Sequence, residues 1–169
     1  TYHERVYYFT TYLHKKCDKG SFRKQMIKEI YSKIDNTILL ASVLSKESLS
    51  ACRTDMCPPE EFLQVSGRYL AAGTFVAPHK HTKIVRSADL TQEAWVVLQG
   101  SVRAKLYDMD DSFIEEVYMS PGSCVVFFRA GHSLEVLEDN TIFYEFKNGP
   151  YYGSKADKEE ILGEYQAGD

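Results

Sequence analysis

Hydrophobic positions divide the chain into two parts that differ in periodicity. Between residues 21 and 36 the apolar side chains recur every three to five positions, at Phe22, Met26, Ile27, Ile30, Tyr31 and Ile34. This spacing places them on one face of an amphipathic helix, and Ser21 is a suitable N-cap. The next apolar run, residues 37–44, is short enough to form either a second helix or a strand. We therefore expect an N-terminal helical segment, residues 1–56, packed on the rest of the chain.

Beyond the Pro58–Pro59 pair the pattern changes to short runs rich in Val, Phe, Tyr, Ile and Thr, separated by turn-forming residues. The predicted strands are QVSGRYLAA, GTFVAP, AWVVLQ, SVRAKLYD, FIEEVYM, SCVVFF, SLEVLE and TIFYEFK. Eight short strands with regular turns are typical of an antiparallel barrel or a double-sheet jelly roll. The expected fold is therefore mainly β, with the barrel over residues 57–169 and a short C-terminal extension.

Composition narrows the functional classes. A chain with 44% hydrophobic and 26% charged residues has a globular profile, and its net charge of −4 argues against a nucleic-acid partner. The longest largely apolar run, residues 38–44, is far shorter than the roughly 20 residues of a membrane span, and no signal peptide is recognisable. The four cysteines form no CxxC pair, which predicts reduced thiols and a cytoplasmic protein.

Three histidines of the β-rich part are the candidates for chemistry. His79 and His81 are two residues apart, so a strand would direct both imidazoles to the same side. Glu93 opens the apolar strand AWVVLQ, where a buried carboxylate needs a partner. His132 follows an apolar strand and could also face inward. Trp95 shares the predicted inward face of Glu93, either as a cavity wall or as an ordinary core residue.

The spacing of these residues resembles the two sequence motifs of the cupin family. The matching positions are Gly73, His79, His81, Glu93 and Gly100 in the first motif, and Pro121, Gly122, Arg129, Ala130, Gly131 and His132 in the second. The resemblance implies a double-stranded β-helix, the jelly-roll barrel of cupins, in which His79, His81, Glu93 and His132 coordinate one divalent metal ion. Eleven residues separate His81 from Glu93, more than the motif usually has. Either a loop is inserted at the cavity mouth or Glu93 is not a ligand, and the intact Glu93-to-Gly100 spacing favours the loop.

The C-terminal part resembles the WbuC-type cupin metalloproteins, small bacterial proteins often associated with surface-polysaccharide biosynthesis. The matching residues are Tyr144, Glu145, Lys147, Gly149, Pro150, Tyr151, Asp157 and Lys158. The resemblance implies a small oxygen-rich ligand such as a sugar or nucleotide sugar. From the sequence we expect Tyr144, Glu145 and Lys147 to be structural, with a pocket position for Glu145 or Lys147 as the alternative.

Several functions remain open at this stage. Three imidazoles and a carboxylate suit Fe, Zn, Mn, Ni or Cu, and ligand identity alone does not choose among them. The site would serve a metal-dependent enzyme, an Fe(II) dioxygenase or a non-catalytic binding module. Metal-free sugar-nucleotide epimerases of the cupin class, which use a histidine and a tyrosine, are a further alternative. Because cupins frequently pair through their sheet edges, we also expect a homodimer.

Overall fold

The computed structural model describes residues 27–49 and 52–161. In these ranges the chain forms strands β1 (Lys28–Tyr31), β2 (Leu39–Leu44), β3 (Thr54–Asp55), β4 (Ser66–Gly67), β5 (Glu93–Gln99), β6 (Val102–Tyr107), β7 (Phe113–Met119), β8 (Cys124–Phe127), β9 (Gly131–Val136) and β10 (Ile142–Lys147). A 3₁₀ helix, Lys46–Ser48, follows β2, and a single helical turn, α1 (Ser154–Asp157), follows β10. The prediction of a mainly β chain is confirmed.

The strands form three antiparallel sheets. A five-stranded sheet has the order β1-β2-β8-β5-β10, a three-stranded sheet has the order β7-β6-β9, and β3 pairs with β4. The sheets of the described residues are open rather than joined in a closed barrel, so the cupin barrel remains a prediction. The chain passes from the larger sheet to the three-stranded one at Gly100, which has a φ of +70°. A Cβ atom there would lie 2.2 Å from Thr141 Oγ1, so glycine is required.

The main hydrophobic core lies between the five-stranded and three-stranded sheets. It contains Trp95 and Val97 of β5, which contact buried side chains of β6, β7 and β8 in one cluster. Along β6 the residues Val102, Ala104 and Leu106 are fully buried, whereas the alternating polar residues face outward. This alternation is the period-two pattern expected for a strand with one buried face.

The opposite face of the five-stranded sheet is also covered. Ala94 of β5 and Val126 of β8 pack there against Met56 and Cys57, from the segment between β2 and β5. Strands buried on both faces carry apolar residues at consecutive positions rather than at alternate ones. This explains the continuous apolar runs of β2 and β8 in the sequence.

The N-terminal helix predicted over residues 21–36 is wrong where the structure describes it, because Lys28–Tyr31 is strand β1. Ile30 is buried between the exposed residues Glu29 and Tyr31, and the strand pairs with β2. Pairing with a neighbouring strand has therefore overridden the helical spacing. The rest of the predicted helix, residues 21–26, lies outside the described residues. The ambiguous run at 37–44 contains β2, a strand.

Each of the six predicted segments from AWVVLQ onward contains a strand, β5 to β10 in order. The two earlier segments differ from the prediction. Of QVSGRYLAA only Ser66–Gly67 is a strand, and GTFVAP has no regular structure. Residues 68–90 are exposed at every position and include neither helix nor strand.

No helix among the described residues combines the length and the apolar character needed to cross a membrane. Cys57 and Cys124 are free thiols, but Cys52 is disulfide-bonded. The prediction of reduced thiols is therefore wrong for Cys52.

Candidate functional site

Glu93 is a buried carboxylate at the first position of β5. Only 5% of its surface is exposed, and strand alternation puts it on the same side as Trp95, facing the main core. The Trp95 indole Nε1–H donates a hydrogen bond to Glu93 Oε1. The same oxygen lies 3.6 Å from His132 Nε2. We expected the buried Glu93 carboxylate to need a partner, and it has two, Trp95 and His132. The predicted inward position of Trp95 is confirmed.

His132 reaches this site from the other sheet. It lies on β9, opposite Leu106 of β6. Its ring stacks on Phe127, with centroids 4.0 Å apart and planes inclined by 12°, and it meets the Trp95 ring edge-on at 5.1 Å. These two aromatic side chains fix the plane of the imidazole beside Glu93.

The hydrogen bonding of His132 determines which ring nitrogen faces the carboxylate. Nδ1 lies 3.1 Å from the carbonyl oxygen of Ala130, which can only accept, so Nδ1 carries the proton of this bond. In the neutral ring Nε2 then has the lone pair, and it is the nitrogen that approaches Glu93. A histidine anchored through Nδ1 with a free Nε2 is the usual form of a metal ligand.

The pKa of Glu93 is lowered from its ordinary value. Burial alone raises the pKa, but the interaction with His132, the hydrogen bond from Trp95 and the positive charge of Lys158 together outweigh it. Glu93 is therefore an ionised carboxylate at neutral pH, the form in which a carboxylate binds a metal ion.

Lys147 brings a positive charge to the same place. It is the residue of β10 directly opposite Glu93 in the ladder with β5. Its ammonium lies 3.3 Å from Glu145 Oε1, 3.8 Å from Asp157 Oδ2 and 4.2 Å from the centre of the Tyr151 ring. Only 19% of the Lys147 side chain is exposed, so these groups largely replace water around the charge.

The segment after β10 is fastened to the residues just before Glu93. Thr91 Oγ1 donates a hydrogen bond of 2.7 Å to Asp157 Oδ1. The backbone N–H of Gln92 donates one of 2.6 Å to Asn148 Oδ1, and Asn148 Nδ2 donates one to the carbonyl oxygen of Leu90. The C-terminal segment, residues 148–161, is thus held against the start of β5.

His79 and His81 do not lie on a strand of either main sheet. Both lie in the exposed segment 68–90, where no strand forms, so the prediction that a strand directs them to one side is wrong. Their rings nevertheless contact each other edge-on, with centroids 5.6 Å apart. His79 Nδ1 lies 2.9 Å from the carbonyl oxygen of Ala77, the same anchoring seen at His132.

The structure therefore joins the four predicted ligands in two pairs. Glu93 and His132 converge, and His79 and His81 lie next to each other, but within residues 27–49 and 52–161 no group of three or more potential ligands is arranged around one point. The donor chemistry of each pair suits a divalent transition metal. A site made of all four residues remains a prediction.

Lys147 and Asp157 also belong to this site. From the sequence, Lys147 was expected to be structural, with a pocket position as the alternative, and Asp157 was given no role. The alternation of β10 places Phe143, Glu145 and Lys147 on one face, and the apolar character of Phe143 indicates that this face is inward. The signal for Lys147 was therefore present, but only the pairing of β10 with β5 shows that it lies beside Glu93.

Comparisons of the chain with family models, with curated proteins and with solved structures gave no match.

Proposed function

We propose that the chain is a metal-binding cupin whose ligands are His79, His81, Glu93 and His132. The observation that carries the proposal is the approach of His132 Nε2 to within 3.6 Å of the buried Glu93 carboxylate. Glu93 comes from the five-stranded sheet and His132 from the three-stranded one. The Trp95 N–H orients Glu93, and the Ala130 carbonyl orients His132. Such supporting hydrogen bonds are characteristic of metal ligands.

The exposed segment 68–90 would supply the other two ligands. It follows β4 and ends just before Thr91 and Gln92, which the C-terminal segment holds in place. His81 is twelve residues from Glu93 in the chain, and an extended chain of that length spans up to about 40 Å. The segment is therefore long enough to bring His79 and His81 to the Glu93–His132 pair without moving either sheet.

The ligand set suits Fe, Zn, Mn, Ni or Cu. When bound, such an ion supplies Lewis acidity toward oxygen atoms of a ligand. The chain's own residues exclude water from one side through Trp95 and Phe127, and they hold an ionised carboxylate next to an imidazole. In line with the resemblance to surface-polysaccharide proteins, we propose a small oxygen-rich ligand, a sugar or nucleotide sugar.

Metal content of protein purified without a histidine tag tests the proposal. We expect close to one ion per chain in the wild type, and a loss of most of it in His79→Ala, Glu93→Gln and His132→Asn. Glu47→Gln, an exposed carboxylate on the 3₁₀ helix, is the matched control. Wild-type occupancy in both His79→Ala and Glu93→Gln would contradict the ligand set, and a metal-free wild type after growth in metal-supplemented medium would contradict the function.

A second candidate is a metal-free isomerase, favoured by the Glu93–His132 contact itself. A carboxylate and a histidine side by side can serve as a general acid–base pair. This candidate predicts that protein treated with a chelator still exchanges a sugar proton with deuterated solvent, and that His132→Asn abolishes the exchange. Oxygen uptake that depends on added ferrous ion would instead identify a dioxygenase, and binding without any turnover would identify a binding module.

A further inference from the structure

We infer that Lys147 holds an oxyanion of the ligand, a carboxylate or a phosphate, beside the Glu93–His132 pair. The inference rests on the proposed function and deepens it, because it specifies the charge of the ligand that the site accepts. It assigns Lys147 a binding role in addition to its place in the fold.

The position of Lys147 is the first argument. Directly opposite residues of an antiparallel ladder point to the same side of the sheet, so Lys147 shares the face of Glu93 and Trp95. Its side chain is 19% exposed, so it is not closed off from solvent. The Tyr151 ring, 4.2 Å away, covers part of the ammonium.

The hydrogen-bonding capacity of the ammonium is the second argument. A lysine ammonium has three N–H donors. Its contacts with Glu145 and Asp157 are ion pairs at 3.3 and 3.8 Å. Glu145 accepts one hydrogen bond from the ammonium, and Asp157 lies beyond hydrogen-bonding distance, so the three donors have capacity for a further acceptor. Donors removed from water need acceptors. A ligand oxyanion supplies acceptors of the right charge.

The two neighbouring carboxylates differ in how readily they can give way to such a ligand. Asp157 is fixed by its hydrogen bond from Thr91, and its side chain is 16% exposed. Glu145 has a side chain that is 41% exposed, and it can turn into solvent. We therefore expect an incoming oxyanion to displace Glu145 from Lys147 and to leave Asp157 in place.

This exchange predicts opposite effects for two neighbouring substitutions. Lys147→Met removes the positive charge and the donors, so it weakens oxyanion binding. Glu145→Gln removes the competing charge, so it strengthens oxyanion binding. A purely structural role for Lys147 gives no reason for tighter binding in Glu145→Gln.

Titration of Trp95 fluorescence provides the measurement, because Trp95 is the single tryptophan of the chain and lies opposite Glu145. The probes are D-glucuronate for a carboxylate, uridine diphosphate for a phosphate, and D-glucose as the uncharged control. We expect a charged probe to bind at least about tenfold more tightly than glucose, the effect of one charge-assisted hydrogen bond. The preference between glucuronate and uridine diphosphate identifies the kind of oxyanion.

The variants complete the test. We expect Lys147→Met to lose about tenfold in affinity for the charged probe, Lys147→Arg to retain most of it, and Glu145→Gln to gain several-fold. Lys155→Met, an exposed lysine of α1, is the matched control and should bind as the wild type does. Circular dichroism on each variant separates loss of binding from loss of folding. Equal binding of glucose and both charged probes, or unchanged affinities in both Lys147→Met and Glu145→Gln, would overturn the inference.

Metal content measured on the same samples keeps this test distinct from that of the proposed function. Oxyanion affinity lost in Lys147→Met with metal content unchanged supports the inference. A wild type without metal that still binds the charged probe through Lys147 overturns the metal proposal and retains the oxyanion site.

Discussion

Lys147 and Glu93 lie directly opposite each other in the ladder between β10 and β5, 54 positions apart in the sequence. This pairing places an ammonium beside a buried carboxylate that already contacts His132 and Trp95. It also links the last strand to the C-terminal segment, because Asp157 interacts with both Lys147 and Thr91. The site is consequently assembled from both sheets and from the segment that follows them.

The hydrogen bond from Trp95 to Glu93 gives a first prediction. Trp95→Phe keeps an aromatic ring in the core but leaves the buried Glu93 carboxylate without its N–H donor. Loss of a buried hydrogen bond to a charged group costs about 1–3 kcal/mol. Urea denaturation followed by circular dichroism measures the change. In the Glu93→Gln background the same substitution should cost less, and equal costs in both backgrounds would show that the two side chains are not coupled.

Packing between the sheets gives a second prediction. Leu106 is fully buried in the main core, so Leu106→Ala should destabilise the protein by about 2–5 kcal/mol through lost burial and a residual cavity. Leu98→Ala, at a position that is 46% exposed, is the control and should cost much less. Thermal and urea unfolding of both variants would test this. Similar losses at the two positions would contradict the described arrangement of the sheets.

Asp108 gives a prediction about pH. Burial raises its pKa, but hydrogen bonds from Ser32 and from the backbone N–H groups of Met109, Lys33 and Ile34 outweigh that effect and lower it. A carboxyl group whose pKa is lower in the folded state stabilises the fold above its unfolded pKa of about 3.9, and that contribution is lost as the pH falls through the folded value.

Urea midpoints measured between pH 2 and pH 6 test this contribution. We expect Asp108→Asn to be less stable than the wild type at pH 6 and to lose less stability on acidification. Asp139→Asn, at an exposed position, is the control and should retain the wild-type pH profile. Parallel profiles for Asp108→Asn and the wild type would contradict the prediction.

Two glycines with positive φ give a matched pair. Gly100 has a φ of +70° and Gly73 one of +82°, so alanine is strained at either position. Only at Gly100 would the added Cβ also meet Thr141, at 2.2 Å from its Oγ1, whereas nothing lies within 4 Å at Gly73. Gly100→Ala should therefore be the more destabilising substitution by about 1 kcal/mol or more. Denaturation curves of the two variants measure the difference in their stability. Equal losses would show that Thr141 moves away from the added Cβ atom without cost.

The free thiols give a prediction about reactivity. Burial raises the pKa of Cys57, and it raises the pKa of Cys124 to about 12. Because the thiolate is the reactive form, both should be alkylated slowly by iodoacetamide at pH 8 in the folded protein and quickly in urea. Peptide mapping by mass spectrometry distinguishes them from the other cysteines. Rapid labelling of Cys124 in the folded state would contradict its described environment.

Local patterns predicted the later strands well because β5 to β10 combine apolar alternation with clear turn residues. They failed at β1, where Ile27, Ile30 and Ile34 fit a helical face but Ile30 is buried by pairing with β2. For the site, the inward positions of Glu93 and His132 were predictable from strand ends, whereas Lys147 was expected to be structural, with a pocket position only as the alternative. The order of strands in a sheet depends on contacts between distant segments, so it cannot be predicted from local periodicity.

Among the described residues, the exposed segment 68–90 is susceptible to proteolysis. It contains Arg68, Lys80, Lys83 and Arg86, each a site for trypsin, and it has no regular structure to resist the enzyme. Brief digestion would cut the covalent connection between β1–β4 and β5–β10. Yet β2, on one side of the cut, is hydrogen-bonded to β8, on the other. The two fragments should therefore migrate together on a sizing column and part only in denaturant.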